Sequence, residues 1–127
     1  MGGYTVLAMT GSTKGSEWLP QARRGILELC ILSLLSAGPR YGYELLSALD
    51  HWPVLSANEG TLYPLLRRLQ RAGHLSPTWL ESVSGPPRKY YSLTPSGTAL
   101  LRQMSADWLE LALAVAEVLP HEERKHA

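Results

Sequence analysis

Residues 56–73 read SANEGTLYPLLRRLQRAG, and this stretch decides what the chain folds into. Ser56 followed three residues later by Glu59 is the pattern of a capping box, in which a hydroxyl and a carboxylate satisfy the free amides of a helix start. Leu62, Leu65, Leu66 and Leu69 then recur at i, i+3, i+4 and i+7, an apolar stripe at helical period. At roughly 100° per residue the opposite face carries Gly60, Tyr63, Pro64, Arg67, Arg68 and Arg71. Gly73 stands where a left-handed residue closes a helix. Pro64 removes the bond to the Gly60 carbonyl and strains the early turns, which a proline near the helix start is expected to survive.

A charged face opposite a leucine stripe is ordinarily just solvated. Here the three arginines have no acidic partner at helical spacing, so the face reads as purely basic. A short basic helix is what a major groove accepts, and arginine grips either phosphate or guanine edges.

The 127 residues suggest one domain with an appended helix. A hydrophobic content of 45% is enough for a core, and a net charge of +1 is too small for a generic polyanion binder. The distribution says more than the total. Residues 58–91 hold five Lys/Arg against two acids, whereas residues 101–127 hold three against five. Cys30 is the one cysteine, so no intrachain disulfide can form and a reducing compartment is expected. It sits in the apolar run ILELCILSLL and reads as a small core residue. With no run near ~18 apolar residues and no signal peptide, the protein is expected in the cytoplasm, without a membrane.

Working outward, residues 1–19 are rich in Gly, Ser and Thr and read as a disordered or loosely attached arm. A first helix is expected from Pro20 to Ala37, so apolar all round that one small domain can hardly cover it. Gly38-Pro39 stops it. A second, shorter helix runs from Tyr41 to about His51, with Tyr43, Leu46 and Leu49 turned inward and Leu45 a further candidate. Leu75 to Val83 reads as a strand that Pro77 confines to an edge or a strand start. Ser84-Gly85-Pro86-Pro87 reads as a turn, and Arg88 to Leu93 alternates as a second strand. Two strands after a basic helix make a wing, with Arg88 and Lys89 beside its tip. Thr94-Pro95 is an N-cap with proline behind it. The last helix then carries Leu101, Met104, Trp108, Leu111, Val115 and Val118 at spacings of 3 and 4, a heptad seam suited to a second copy. Trp108 reads two ways, as core of that seam or as a flat aromatic plate lining a ligand slot between subunits. Residues 121–127 form a charged tail expected to fray.

Catalytic and metal chemistry find no footing. The four histidines have no companions at ligand spacing. Phosphate-binding glycine loops and a nucleophile elbow are absent, and no carboxylates pair on one helix face. No cofactor is implied.

Taken together, RRGILELCILSLLSAGPRYGYELLSAL, EGTLYPLLRRLQRAGHL and SGPPRKYYSLTPSG strongly resemble the PadR family of bacterial transcriptional regulators over about residues 23–119, and the single helix after the wing looks like its shorter subfamily. The resemblance implies an α+β, mostly α fold: a winged helix-turn-helix over residues 20–93 and a dimerisation helix over residues 94–120. It implies a homodimer that binds a pseudo-palindromic operator on double-stranded DNA, usually as a repressor. Carried over by position, Thr61, Tyr63 and Pro64 fall on the recognition helix with Arg67 and Arg68, Tyr41 faces phosphate, and Arg88 and Lys89 lie on the wing; Gly60 and Arg71, on the same helix face, complete the expected DNA contacts. Some members bind planar aromatic or cationic effectors with a tryptophan of the last helix, and Trp108 matches it. The arm is longer than that subfamily usually carries. The rival from another class is a winged-helix protein-interaction module that never touches DNA.

Overall fold

Leu62, Leu65, Leu66 and Leu69 are all buried, at 0 to 6% exposure, and the other elements are arranged to cover them. A computed structural model describes residues 17–120; the arm up to residue 16 and the tail from residue 121 lie outside the described residues. The chain runs through α1 (Trp18–Leu35), β1 (Arg40–Tyr41), α2 (Gly42–Leu49), a single 3-10 turn (Pro53–Leu55), α3 (Glu59–Arg71), β2 (Leu75–Ser82), β3 (Gly85–Leu93) and α4 (Pro95–Val118). It is a winged helix-turn-helix, mostly α, with a three-stranded antiparallel sheet in the order β1-β3-β2.

The core joins the α3 leucines to Leu27, Ile31, Leu32 and Leu35 of α1, Leu45 and Leu49 of α2, and Leu75 and Tyr91 of the sheet. At about 1.5–3 kcal/mol per fully buried Leu or Ile, this cluster outweighs any surface contact described below.

Several expectations need correcting. The cap of α3 is Asn58, whose Oδ1 accepts the Thr61 amide at 2.9 Å, and the helix begins at Glu59. Ser56 Oγ instead donates to Asp50 Oδ1 at 3.1 Å. The 3-10 turn carries the chain two residues further before the helix can start, and asparagine is as good a cap as serine. In α2, Leu45 is fully buried, while Tyr43 is 65% exposed. α1 begins at Trp18, inside the stretch assigned to the arm; the domain leaves it incompletely covered, as its all-round apolar character implied, with Ile26, Leu29, Cys30 and Leu34 half-buried. The wing turn is Val83-Ser84, and β3 already starts at Gly85. Pro86 and Pro87 sit opposite the irregularity between Leu80 and Ser82, where a missing amide donor breaks no regular ladder. Strand β1 carried no signal in the sequence, because two residues cannot show alternation; it pairs Arg40 with Tyr91 and Tyr41 with Tyr90.

Other expectations hold. Pro77 lies on the outer strand β2. Gly73 has φ +86° and closes α3, donating to the Gln70 carbonyl at 3.0 Å while His74 donates to Leu69 at 2.9 Å, the paired bonds of a Schellman end. Thr94 caps α4, its Oγ1 accepting the Gly97 amide at 3.0 Å.

The start of α4 is latched onto the end of α3. Thr94 Oγ1 donates to the Gly73 carbonyl at 2.7 Å, and the Thr94 amide donates to the His74 carbonyl at 3.2 Å. His74 Nδ1 and Ser96 Oγ lie 2.6 Å apart. Gly97 is buried against this junction: a Cβ there would collide with the His74 carbonyl oxygen and lie 3.1 Å from its carbon. Because the obstacle is backbone, Gly97→Ala should cost about 1–3 kcal/mol, as overpacking does. Thr98→Ala, at an exposed site one residue on, should leave the thermal midpoint followed by circular dichroism unchanged. Equal midpoints for the two variants would mean that the junction does not depend on this close approach.

Candidate nucleic-acid interface

The outer face of α3 presents Gly60, Thr61, Pro64, Arg67, Arg68 and Arg71, all exposed. Pro64 sits six residues into the helix, which continues through it to Arg71. Arg67 and Arg71 make no ion pair among the described residues, whereas Arg68 Nη2 lies 3.1 Å from Glu28 Oε2 of α1. The basic face is therefore not wholly unpaired. The partner comes from a helix forty residues upstream, which helical spacing within α3 cannot reveal. With the Arg68 side chain 61% exposed, such a pair is worth only about 0.2–1 kcal/mol; its effect is to aim the guanidinium.

Tyr63 belongs less to the surface than its position suggests. Its ring is half-buried and lies directly over Gly42, where a Cβ would come within 2.6 Å of Cε1 and Cζ. Burial pushes its phenol above the ordinary tyrosine range, with smaller contributions from Glu59 and Tyr91, so it remains a neutral donor. Gly42 thus leaves room for the ring that ties α3 to the start of α2, and a side chain there would swing the ring outward.

On that side of α3 stands an aromatic cluster. Tyr41 caps α2, and its amide donates to Glu44 Oε1 at 3.2 Å. Its ring meets Tyr90 of β3 edge-on at 5.2 Å, and Arg88 Cζ sits 4.6 Å over the same ring, a cation–π contact that holds the guanidinium beside the helix-turn-helix. Arg88 and Lys89 are not at the wing tip: they pair with Leu80 and Trp79 inside the hairpin. Being adjacent in a strand, they point to opposite faces; Lys89 Nζ lies 5.2 Å over Tyr91 on the core side. Tyr41, Arg88 and Tyr90 are thus brought together, while Lys89 is set apart. Tyr90 was missed because alternation in RKYYSL does not say which strand neighbour its ring will meet.

The seam of α4 divides in two. Leu101 and Met104 pack on the protein's own core. Beyond them Trp108, Leu111, Val115 and Val118 are 39 to 83% exposed, and Leu109 and Leu113 add 63 and 70%. Between this half of α4 and α1 opens an apolar cavity of about 390 Å³, lined by Cys30, Leu34, Trp52, Leu55, Trp108 and Leu109 among others. Burial pushes the Cys30 thiol up, which disfavours the thiolate, and the side chain forms part of the apolar lining. Among the described residues no helix is long and apolar enough to cross a membrane.

Residues 31–103 match the Transcriptional regulator PadR-like family. The chain is 32% identical over 90 residues to an uncharacterized protein of Lysinibacillus sphaericus, covering 69% of this chain and 83% of that one. Among solved structures it resembles a PadR-like transcription factor from Bacteroides fragilis, with 42% identity, 82% of this chain and 100% of that chain covered, and a TM-score of 0.67. A PadR family transcriptional regulator from Eggerthella lenta superposes at a TM-score of 0.73, with 33% identity and 93% and 96% of the two chains covered. A family match over more than half the chain joins a wing, a basic third helix and a long helix behind them: the chain belongs to the PadR-like family of transcriptional regulators, which are not enzymes.

Proposed function

We propose that the protein is a cytoplasmic homodimeric repressor that sets two copies of α3 into successive major grooves of a pseudo-palindromic operator. The observation that carries this reading is the pairing of an arginine face on α3 with an apolar, uncovered second half of α4. Trp108, Leu109, Leu111, Leu113, Val115 and Val118 are too many apolar side chains to leave in water. At about 1.5–3 kcal/mol for each one fully buried, their burial between two copies is the gain set against an association cost of about 4–15 kcal/mol. Two-fold pairing through α4 then presents two α3 helices, with half-site centres about 34–36 Å apart.

Arg67 and Arg71 make the free contacts of α3, and Tyr41 with Arg88 meets the backbone on the wing side. Base readout is limited to the exposed residues Gly60, Thr61 and Pro64 and to the arginines. The cavity beside Trp108 takes a planar aromatic effector, which changes the separation of the two α3 helices and releases the operator.

The protein should recover a short palindromic duplex from a random library. Arg67→Ala should weaken binding and flatten the dependence of log K on log salt by about one unit per protomer. Binding to no duplex at all would leave the reading as a protein-interaction module instead.

Sedimentation should give a dimer at micromolar concentration. Leu111→Asp with Val115→Asp should give a monomer of undiminished helix content, since both side chains are exposed in one copy. A wild-type monomer would end the homodimer reading. Quenching of tryptophan fluorescence by planar aromatic compounds should be lost on Trp108→Ala and on Trp52→Ala; quenching that survives both would remove the effector from this cavity.

A further inference from the structure

Arg23 and Arg24, early in α1, lie outside every element so far set against DNA. The seam between α1 and α3 is pinned by Glu28 and Arg68. One turn earlier on α1 and two turns earlier on α3 it opens into a depression of about 340 Å³, lined by Arg23, Arg24, Leu27, Ser56 and Thr61 among others. Among the described residues no carboxylate lines it, and the one that meets its rim, Asp50, accepts from the Ser56 hydroxyl. Arg23 is half-buried, and its Nη1 donates to the Val54 carbonyl at 2.7 Å. That single bond fixes the guanidinium and leaves it further N–H donors. Arg24 is exposed and makes no ion pair among the described residues. Glu59, the nearest acid on α3, is two residues from Thr61, about 200° round the helix, on the side that faces Tyr63.

The cradle does not depend on the amides of the α3 terminus, since Asn58 Oδ1 already takes the Thr61 amide. What it offers is two guanidiniums and a hydroxyl above an apolar floor, a set suited to one phosphodiester. Its position matters as much. A helix about 10–12 Å across fills a major groove about 12 Å wide, so whatever flanks the helix meets the two phosphate walls. Tyr41 and Arg88 flank α3 on the side of α2 and the wing; Arg23 and Arg24 flank it on the side of α1.

We infer that the Arg23–Arg24 depression seats a backbone phosphate of the duplex, on the wall of the groove opposite the wing. This rests on the reading of α3 as the groove-binding helix, and it makes that helix clamped from both sides. The contact is sequence-independent, so it adds affinity and register without discrimination between operators.

The test uses the full chain and a fluorescein-labelled mixed-sequence duplex of about 30 base pairs, with binding followed by anisotropy between roughly 50 and 200 mM salt. Arg24→Ala should bind about three- to tenfold more weakly at the upper salt and reduce the slope by about 0.9 per protomer. Arg24→Lys should keep most of the slope, and Arg102→Ala on exposed α4 should keep all of it. Circular dichroism melting guards against misfolding, for which Arg24 is a safer target than Arg23. A wild-type slope for Arg24→Ala, alongside a flattened one for Arg67→Ala, overturns the α1 contact and leaves the groove reading standing. If the wild-type chain binds no duplex, both fall. If inorganic phosphate at constant ionic strength raises the melting midpoint of the wild type but not of Arg24→Ala, while the DNA slope is unchanged, the depression holds a free anion and the duplex contact is wrong.

Discussion

The constraint on which the rest depends is that α3 must hide one side and show the other. Four leucines between 0 and 6% exposed fix the rotation of this helix about its own axis. A turn of even one residue, about 100°, would bring an arginine into the core at a cost no surface contact could offset. α1 and α2 supply the apolar cover, and their contacts do more than bury. Tyr63 over Gly42 and Arg68 against Glu28 set α3 against its two neighbours from opposite flanks. The exposed face is therefore held in place by the same packing that makes the domain stable, and pre-organised groups lose less on binding.

The second constraint is the junction of α3 with α4. Thr94, Ser96 and Gly97 all meet the Gly73-His74 corner, and β2 leaves from that same corner. A backbone contact as close as Gly97 to the His74 carbonyl cannot be stretched like a side-chain contact, because a dense interior shifts between arrangements and does not bend smoothly. Movement of α4 about its first turn is thus passed to the end of α3. In a pair of chains joined through α4, this is the route by which the spacing of two α3 helices would change.

How much of this was legible in the sequence follows from the range of each interaction. The leucine stripe, the Gly73 stop, the Thr94-Pro95 start and the edge position of Pro77 are local signals, and each stands where its local chemistry put it. The α3 cap was misread because Ser56 and Asn58 both offer capping oxygens, and a 3-10 turn decided between them. Tyr43 was turned the wrong way because an eight-residue helix shows too little of its period to separate Tyr43 from Leu45. The Glu28–Arg68 pair, the Tyr41–Arg88–Tyr90 cluster and strand β1 join residues far apart in the chain. No spacing rule finds those. The arginines of α1 went unweighed for the same reason: they become part of a basic surface only once α1 lies beside the start of α3.

The division of α4 has a geometric origin. Its 24 residues make a rod about 36 Å long at 1.5 Å per residue. The 76 residues of α1 through β3 should form a body of radius of gyration about 11 Å, hence about 30 Å across. A helix that starts on the surface of such a body and runs along it must overshoot. Leu101 and Met104 pack on the core and the apolar residues from Trp108 onward are exposed, earlier along the rod than its length alone requires, although the heptad spacing runs unbroken through both. One apolar pattern therefore serves two surfaces. The changeover comes at Trp108, where the intramolecular packing ends and the apolar cavity against α1 begins, so this residue lies on the boundary between the fold of one chain and whatever covers the rest of the rod.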